Sequence, residues 1–191
     1  MGEGVDRSKQ LQPAAMERAL AVLREYREVI DEHRVGAVAM VGTSALRDAS
    51  NRRAFSQAAR TVMRVPLQLL PGPEEAVLSF AGATATLQGG PWLVADIGGG
   101  STELALGPSP FEAVSLDLGS VRVAERFFAD DPPAPEQLVA ARAWLVCRLE
   151  EAIGNLPSHK AAATLVGLAG TVSCPCGLPW PPNSGLGLLP R

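Results

Sequence analysis

Between Pro13 and His33 the apolar residues Met16, Leu20, Leu23 and Ile30 recur at helical spacing among charged neighbours. That pattern, with a proline near its start, predicts a surface helix packed on a sheet. Val35 to Val41 is a short, nearly continuous apolar run ending in Gly42-Thr43-Ser44, which reads as a buried strand feeding a loop. A second helix is expected from about Asn51 to Met63. Leu67 to Leu70 reads as another short strand, stopped by Pro71-Gly72-Pro73, and Glu74 to Leu87 as a third helix. Helices alternating with short buried strands predict an α/β layer with a parallel sheet.

Gln88-Gly89-Gly90-Pro91 breaks the pattern and marks an expected domain boundary, separating 1–89 from 90–173. Trp92 to Ile97, Thr102 to Gly107 and Glu112 to Leu118 then read as three strands joined by short Gly/Pro turns, hence an antiparallel meander. Helical stretches follow near Ser120 to Phe128 and Pro135 to Ile153, and a last strand, Thr164 to Leu168, runs into Gly170-Thr171. The segment 174–191 is rich in Pro and Gly without a periodic apolar face, and coil is expected there.

Composition narrows the function. Apolar residues are 47% and aromatics 5% of the 191 residues, which suits a globular α/β core built from small aliphatics. A net charge of -3 argues against a whole-molecule attraction to nucleic acid or anionic lipid, so a polyanion would need a local basic patch. Arg47, Arg52, Arg53, Arg60 and Arg64 form one candidate, and a solvated helix face is the competing explanation. The three cysteines form no disulfide framework, and Cys174-Pro-Cys176 lacks a second pair for zinc. Charges near Met1 and the absence of a long apolar run leave neither a signal peptide nor a membrane span in the sequence. A cytoplasmic protein is expected. His33 and His159, isolated in polar surroundings, are expected at the surface.

The strongest local signal is Asp96-Ile97-Gly98-Gly99-Gly100-Ser101-Thr102-Glu103. An apolar strand delivers an acid at its end, the glycines admit close approach of a ligand to the backbone, and hydroxyls stand beside exposed amides. This is an anion cradle. It lacks the lysine of a Walker loop and the third glycine of a dinucleotide site. Asp96 is a candidate magnesium ligand, or else a carboxylate capping its own turn. Glu74 and Glu75 either complement the dipole of their helix or supply a general base for an attacking water. Thr43, Ser44 and Arg47 repeat the logic of a strand end with hydroxyls and add a guanidinium for phosphate.

Six blocks in order carry a resemblance: Gly2-Glu3-Gly4-Val5-Asp6, Thr43-Ser44-Ala45-Leu46-Arg47-Asp48, Pro71-Gly72-Pro73-Glu74-Glu75-Ala76, the Asp96 to Glu103 block, Asp117-Leu118-Gly119-Ser120-Val121 and Gly167-Leu168-Ala169-Gly170-Thr171. Together they resemble the exopolyphosphatase / guanosine pentaphosphatase family. The resemblance implies an actin-like ATPase (ribonuclease H-like) fold, with two partial α/β domains facing a cleft for phosphate and magnesium. It implies Glu75 as the catalytic glutamate that activates water, Asp96 as the magnesium-associated acid, and Gly98, Gly99, Gly100 and Ser101 as a second phosphate loop closed by Glu103. Arg47, with Thr43 and Ser44, would contact substrate phosphate. The implied reaction is in-line attack of water on the terminal phosphoryl group of inorganic polyphosphate, with pppGpp as the related substrate.

Family members begin with a strand and a first phosphate loop of the type Asp-x-Gly-Thr/Ser-Asn-Ser, which has no counterpart here, and the tail after the Gly-Thr block departs from their pattern. A truncated or frame-shifted product is therefore expected, with open sheet edges and exposed apolar surface that favour association, a homodimer included. A non-catalytic phosphate-binding remnant is the alternative from another functional class.

Overall fold

The computed structural model describes residues 1–173; the expected coil at 174–191, with its Cys-Pro-Cys turn, lies outside them. A single helical turn α1 (Val5–Ser8) leads to α2 (Pro13–Glu32), strand β1 (Met40–Gly42), the short helix α3 (Ser44–Asp48), α4 (Arg52–Met63) and β2 (Leu67–Leu69). Then come α5 (Gly72–Thr84), β3 (Trp92–Ile97), β4 (Thr102–Gly107), β5 (Glu112–Leu116), α6 (Ser120–Phe127), α7 (Pro135–Gly154), a 3-10 turn (His159–Ala161), β6 (Thr164–Leu168) and α8 (Gly170–Ser173).

The strands form two sheets. β1 and β2 pair in parallel, from Met40 opposite Leu67 to Gly42 opposite Leu69. The second sheet has the order β5-β4-β3-β6, with β5, β4 and β3 antiparallel to one another and β6 parallel to β3. The meander is the expected one. The place of β6 beside β3 is set by the path through α6 and α7, which no local pattern specifies.

Three cores hold these layers. Leu20 of α2 and Phe55, Ala59 and Met63 of α4 bury against Val5, Leu11, Met40 and Leu46 around the small sheet. Along β3 and β4 the side chains alternate, as a period of two requires. Val94 and Ala105 face Ala76 and Phe80 of α5, whereas Leu93, Ala95 and Leu104 face Ala152 and Leu156. Every residue of β4 is buried. Helix α5 precedes the expected boundary at Gly89-Gly90, yet its apolar face lies on the second sheet.

Several expectations need correction. The strand foreseen over Val35 to Val41 is ordered as strand only from Met40, because its partner β2 is three residues long and Val35 and Val41 remain exposed. Strand β5 stops at Leu116 instead of Leu118, where the Leu118 amide turns back to the Leu116 carbonyl. Helix α5 begins at Gly72 and ends at Thr84 rather than running from Glu74 to Leu87. The short helices α1, α3 and α8 have no sequence forewarning, since four or five residues cannot display a helical period. His159 is half-buried, its Nδ1 2.8 Å from the Leu156 carbonyl. Exposed apolar side chains do gather on α2, at Val22, Tyr26 and Val29, and on α7, at Leu138, Val139 and Val146.

Candidate functional site

The site assembles where the first turn of α5 meets the β3–β4 hairpin. Gly72 makes the approach possible: a Cβ there would lie 2.4 Å from Ser115 Oγ and 2.5 Å from Ser115 Cβ, so only glycine lets this helix start press onto β5. Pro71 at the cap position and Pro73 just inside suit the start of a helix. The two glutamates that follow part company. Glu74 is exposed, whereas the Glu75 side chain is 16% exposed and accepts a hydrogen bond of 2.7 Å from Arg47 Nη1. The same nitrogen donates to the Leu70 carbonyl at 2.7 Å.

One turn beyond Glu75, Ser79 donates to Asp96 Oδ2 at 2.5 Å, tying the end of β3 to α5. Asp96 stands opposite Glu103 in the β3–β4 ladder. Glu103 is only 3% exposed and accepts a hydrogen bond of 2.8 Å from Ser115 Oγ. Burial, the largest influence, pushes the Glu103 carboxyl above its ordinary value. The Ser115 hydrogen bond and the Ser101 hydroxyl pull the other way, and the negative charges of Glu75 and Asp96 push it further up. Glu75, Asp96 and Glu103 therefore share one electrostatic environment, with Arg47 as the cation at its edge.

The glycine loop closes that environment. The Gly98 amide donates to the Ser101 carbonyl at 3.0 Å, while the amides of Gly99, Gly100 and Ser101 bond to no other described residue. The loop carbonyls are engaged from behind: Ser120 N donates to Gly98 O and Val121 N to Gly99 O, each at 3.0 Å. The glycines serve close packing. A Cβ at Gly100 would lie 2.6 Å from Ser44 Oγ, and one at Gly119 would lie 2.4 Å from the Gly99 backbone. Ser44 is buried, Thr43 caps α3 with its carbonyl toward the Leu46 and Arg47 amides, and a cavity of about 20 Å³ bordered by Ser44, Gly99 and Gly100 has room for a water molecule. Thr171 of the Gly-Thr block reaches Ser120 Oγ at 3.5 Å.

Sequence reasoning missed Arg122. It is 9% exposed, donates through Nε to Gly100 O at 2.6 Å, pairs with Asp6 and Asp48, and lies 3.6 Å from Asp117. Burial opposes its charge, but the hydrogen bond and charge of Asp48, with Asp6 and Asp117, outweigh that and raise its pKa. The signal was available indirectly, because all three acids fall in the quoted blocks while their common partner lies just past one of them. The basic stretch, by contrast, does not act as a unit. Arg47 turns into the site, Arg52 bonds to the Arg47 and Ala49 carbonyls, Arg64 lies 3.4 Å from Asp31, and Arg53 and Arg60 are exposed.

Among the described residues no group of three His, Cys, Asp or Glu has the geometry of a protein-built metal cage. The donor set fits magnesium in its other common mode, in which one or two carboxylates supply oxygens and the substrate phosphates and waters supply the rest. Asp96 offers such an oxygen beside two further acids whose mutual repulsion a dication would relieve.

Two sheets joined through a glycine loop, with the second built as β5-β4-β3-β6, define the class: this is the actin-like ATPase fold. Within that class the chain belongs to the Ppx/GppA phosphatase family, whose sequence model matches residues 1–178. It is 40% identical over 181 residues to "Exopolyphosphatase 2" of Mycobacterium tuberculosis strain H37Rv, covering 91% of this chain and 56% of that protein. A "Bifunctional 3-dehydroquinate synthase/phosphatase" of Fusobacterium nucleatum is 32% identical over 183 residues, 91% of this chain and 27% of that one. Among solved structures, an exopolyphosphatase-like protein superimposes with a TM-score of 0.85 at 38% identity, over 90% of this chain and 56% of the other. An exopolyphosphatase from Cytophaga hutchinsonii gives a TM-score of 0.78 at 28% identity, over 86% and 54%. The chain thus spans about half the length of the exopolyphosphatase relatives it matches.

Proposed function

We propose that the chain carries the hydrolytic centre of a phosphohydrolase that removes the terminal phosphate of inorganic polyphosphate. The observation that carries this reading is the Glu75 carboxylate, oriented by Arg47 and placed in one field with Asp96 and Glu103 beside a loop of open amides. The membership and the names of the relatives point to the same chemistry.

In this reading the terminal phosphoryl group lies against the amides of Gly99, Gly100 and Ser101, which stabilise its oxygens as charge redistributes. Arg47 keeps Nη2 available for a phosphate oxygen while Nη1 holds Glu75. A water in line with the bond to the leaving chain loses its proton to Glu75 as its oxygen bonds to phosphorus. The P–O bond to the chain then breaks, releasing orthophosphate and a chain shorter by one unit. Asp96 would hold magnesium, which supplies neutralisation of the phosphate oxygens' charge when bound. Glu103, buried behind Asp96, sets the field at the loop. Ser44, at the start of α3, borders it.

The test is phosphate release from long-chain polyphosphate with magnesium, comparing the chain with Glu75→Gln. Removal of a general base lowers the rate by on the order of 100-fold or more. Equal rates in the two proteins would remove Glu75 from the mechanism. Release by neither, with phosphate binding retained, would make the chain a binding module. A parallel assay on pppGpp assigns the substrate.

A further inference from the structure

Helix α5 carries a serine whose hydroxyl is turned away from its own helix. A hydroxyl inside a helix readily returns to the carbonyl four residues before it, as Thr61 does to Gln57 at 3.0 Å and Thr84 to Phe80 at 2.8 Å. Ser79, in the middle of α5, has one hydroxyl proton and spends it elsewhere, donating to Asp96 Oδ2 at 2.5 Å. A contact of that length is the one a hydroxyl makes with an ionised carboxylate. Asp96 therefore does not cap its own turn; its side chain is tied to a different element.

The backbone of Asp96 is already fixed. Its strand β3 is paired on both sides at that point, with Glu103 of β4 and Leu168 of β6 opposite. Only the side-chain torsions of Asp96 remain to be set, and the charges around it set them badly. Glu75 and Asp96 both act on Glu103, so the three carboxylates lie within electrostatic reach of one another. Like charges drive an untethered carboxylate outward into solvent. The Ser79 hydroxyl opposes that movement. It occupies Oδ2 and leaves Oδ1, to which no described residue donates a hydrogen bond.

Ser79 also stands in register with the proposed base. It lies four residues beyond Glu75, one turn along the same flank of α5. Both residues are half-buried, while Ala76 and Phe80 beside them bury onto the second sheet and hold the helix in place. One rigid element thus carries the base and the group that aims the neighbouring acid.

We propose that Ser79 is a positioning residue, which holds the Asp96 carboxylate in the orientation that offers Oδ1 to a divalent cation and so sets the cation affinity of the site. The proposal rests on Asp96 as the acid that holds magnesium. Hydrogen-bond partners of metal-ligating carboxylates act in this way, because an oxygen aimed in advance need not be ordered when the cation arrives.

The experiment is a titration of Mn²⁺, a paramagnetic substitute for magnesium, into the metal-free full chain, with the free ion counted by electron paramagnetic resonance. Wild type, Asp96→Asn, Ser79→Ala and Ser79→Thr are compared. Ser79→Ala removes one oxygen from a half-buried position and is expected to fold, which circular dichroism of the metal-free chain checks. Wild type should bind the ion and Asp96→Asn should lose the site. Ser79→Ala should raise the midpoint by about 10- to 100-fold, and Ser79→Thr, which keeps the hydroxyl, should recover most of the affinity. A Ser79→Ala midpoint equal to wild type, where Asp96→Asn abolishes binding, would overturn the proposal and leave Asp96 as the metal acid. A loss that Ser79→Thr shares in full would overturn it too, since the hydroxyl would then not be the cause. Binding that Asp96→Asn leaves unchanged, or no binding by wild type, would overturn the assignment of Asp96 and this proposal with it.

Discussion

Arg47 and Glu75 share a hydrogen bond of 2.7 Å, and the nitrogen that makes it also donates to the Leu70 carbonyl at 2.7 Å. The bond joins α3 of the first sheet to the start of α5. It fixes the rotamer of the proposed base through a backbone anchor, which a flexible cation could not do.

Arg47→Lys keeps the charge but ends in a single ammonium on a flexible stem, which cannot hold Glu75 and the Leu70 carbonyl and still offer a second nitrogen to phosphate. Its phosphate release is expected to fall by on the order of 100-fold, through misplacement of Glu75, with a small change in melting temperature. A melting temperature lowered in proportion to the rate would make Arg47 a structural residue only.

Gly72→Ala inserts a methyl 2.4 Å from Ser115 Oγ and 2.5 Å from Ser115 Cβ, so the helix start or β5 must shift to admit it. Overpacking of this kind costs about 1–3 kcal/mol. Denaturant unfolding should show the loss, and Ser115→Gly in the same chain should recover part of it. Wild-type stability in Gly72→Ala would contradict the close approach.

Glu103 has a folded-state pKa above its unfolded one, so the folded chain binds the extra proton and stability from this group is present at acid pH and declines as pH rises through the raised value. In metal-free buffer Glu103→Gln, which retains an acceptor for Ser115, should gain stability relative to wild type as pH rises from acid to neutral, because it removes a charge that the buried site disfavours. Melting curves across that range decide it: a constant difference would mean that Glu103 is not held toward its neutral form.

Arg122→Ala leaves Asp6 and Asp48 facing each other without their cation. Because both acids are partly exposed, the expected loss is about 2–3 kcal/mol, below what a fully buried pair would show. Chemical unfolding measures it, and Arg122→Lys should restore a fraction only, since the Gly100 carbonyl and two carboxylates need a planar fork. An unfolding midpoint equal to wild type would exclude Arg122 as the joint between the sheets.

Much of the frame is legible in the sequence. The meander, the α/β order and the glycine block all follow from local rules, because alternation, apolar runs and Gly/Pro stops are written in adjacent residues. Glu75 and Asp96 were legible as candidates by their places at a helix start and a strand end. Their common field was not, since it depends on Ser79, Ser115 and Gly72 bringing three elements together. The length of β1 was misjudged for a related reason: a strand extends only as far as its partner, and β2 lies more than twenty residues further on.

The sequence by itself determined the longer helices, the sheet-forming alternation and the residue types able to handle phosphate, for these rest on interactions within a few residues. Tertiary structure alone decided that β6 runs beside β3, that α5 crosses to the second sheet, and that Arg122 gathers acids from α1, α3 and the turn after β5. The physical reason is range. A buried charge or a glycine without room for a methyl is specified by neighbours distant in the chain, and only folding brings those neighbours within contact distance.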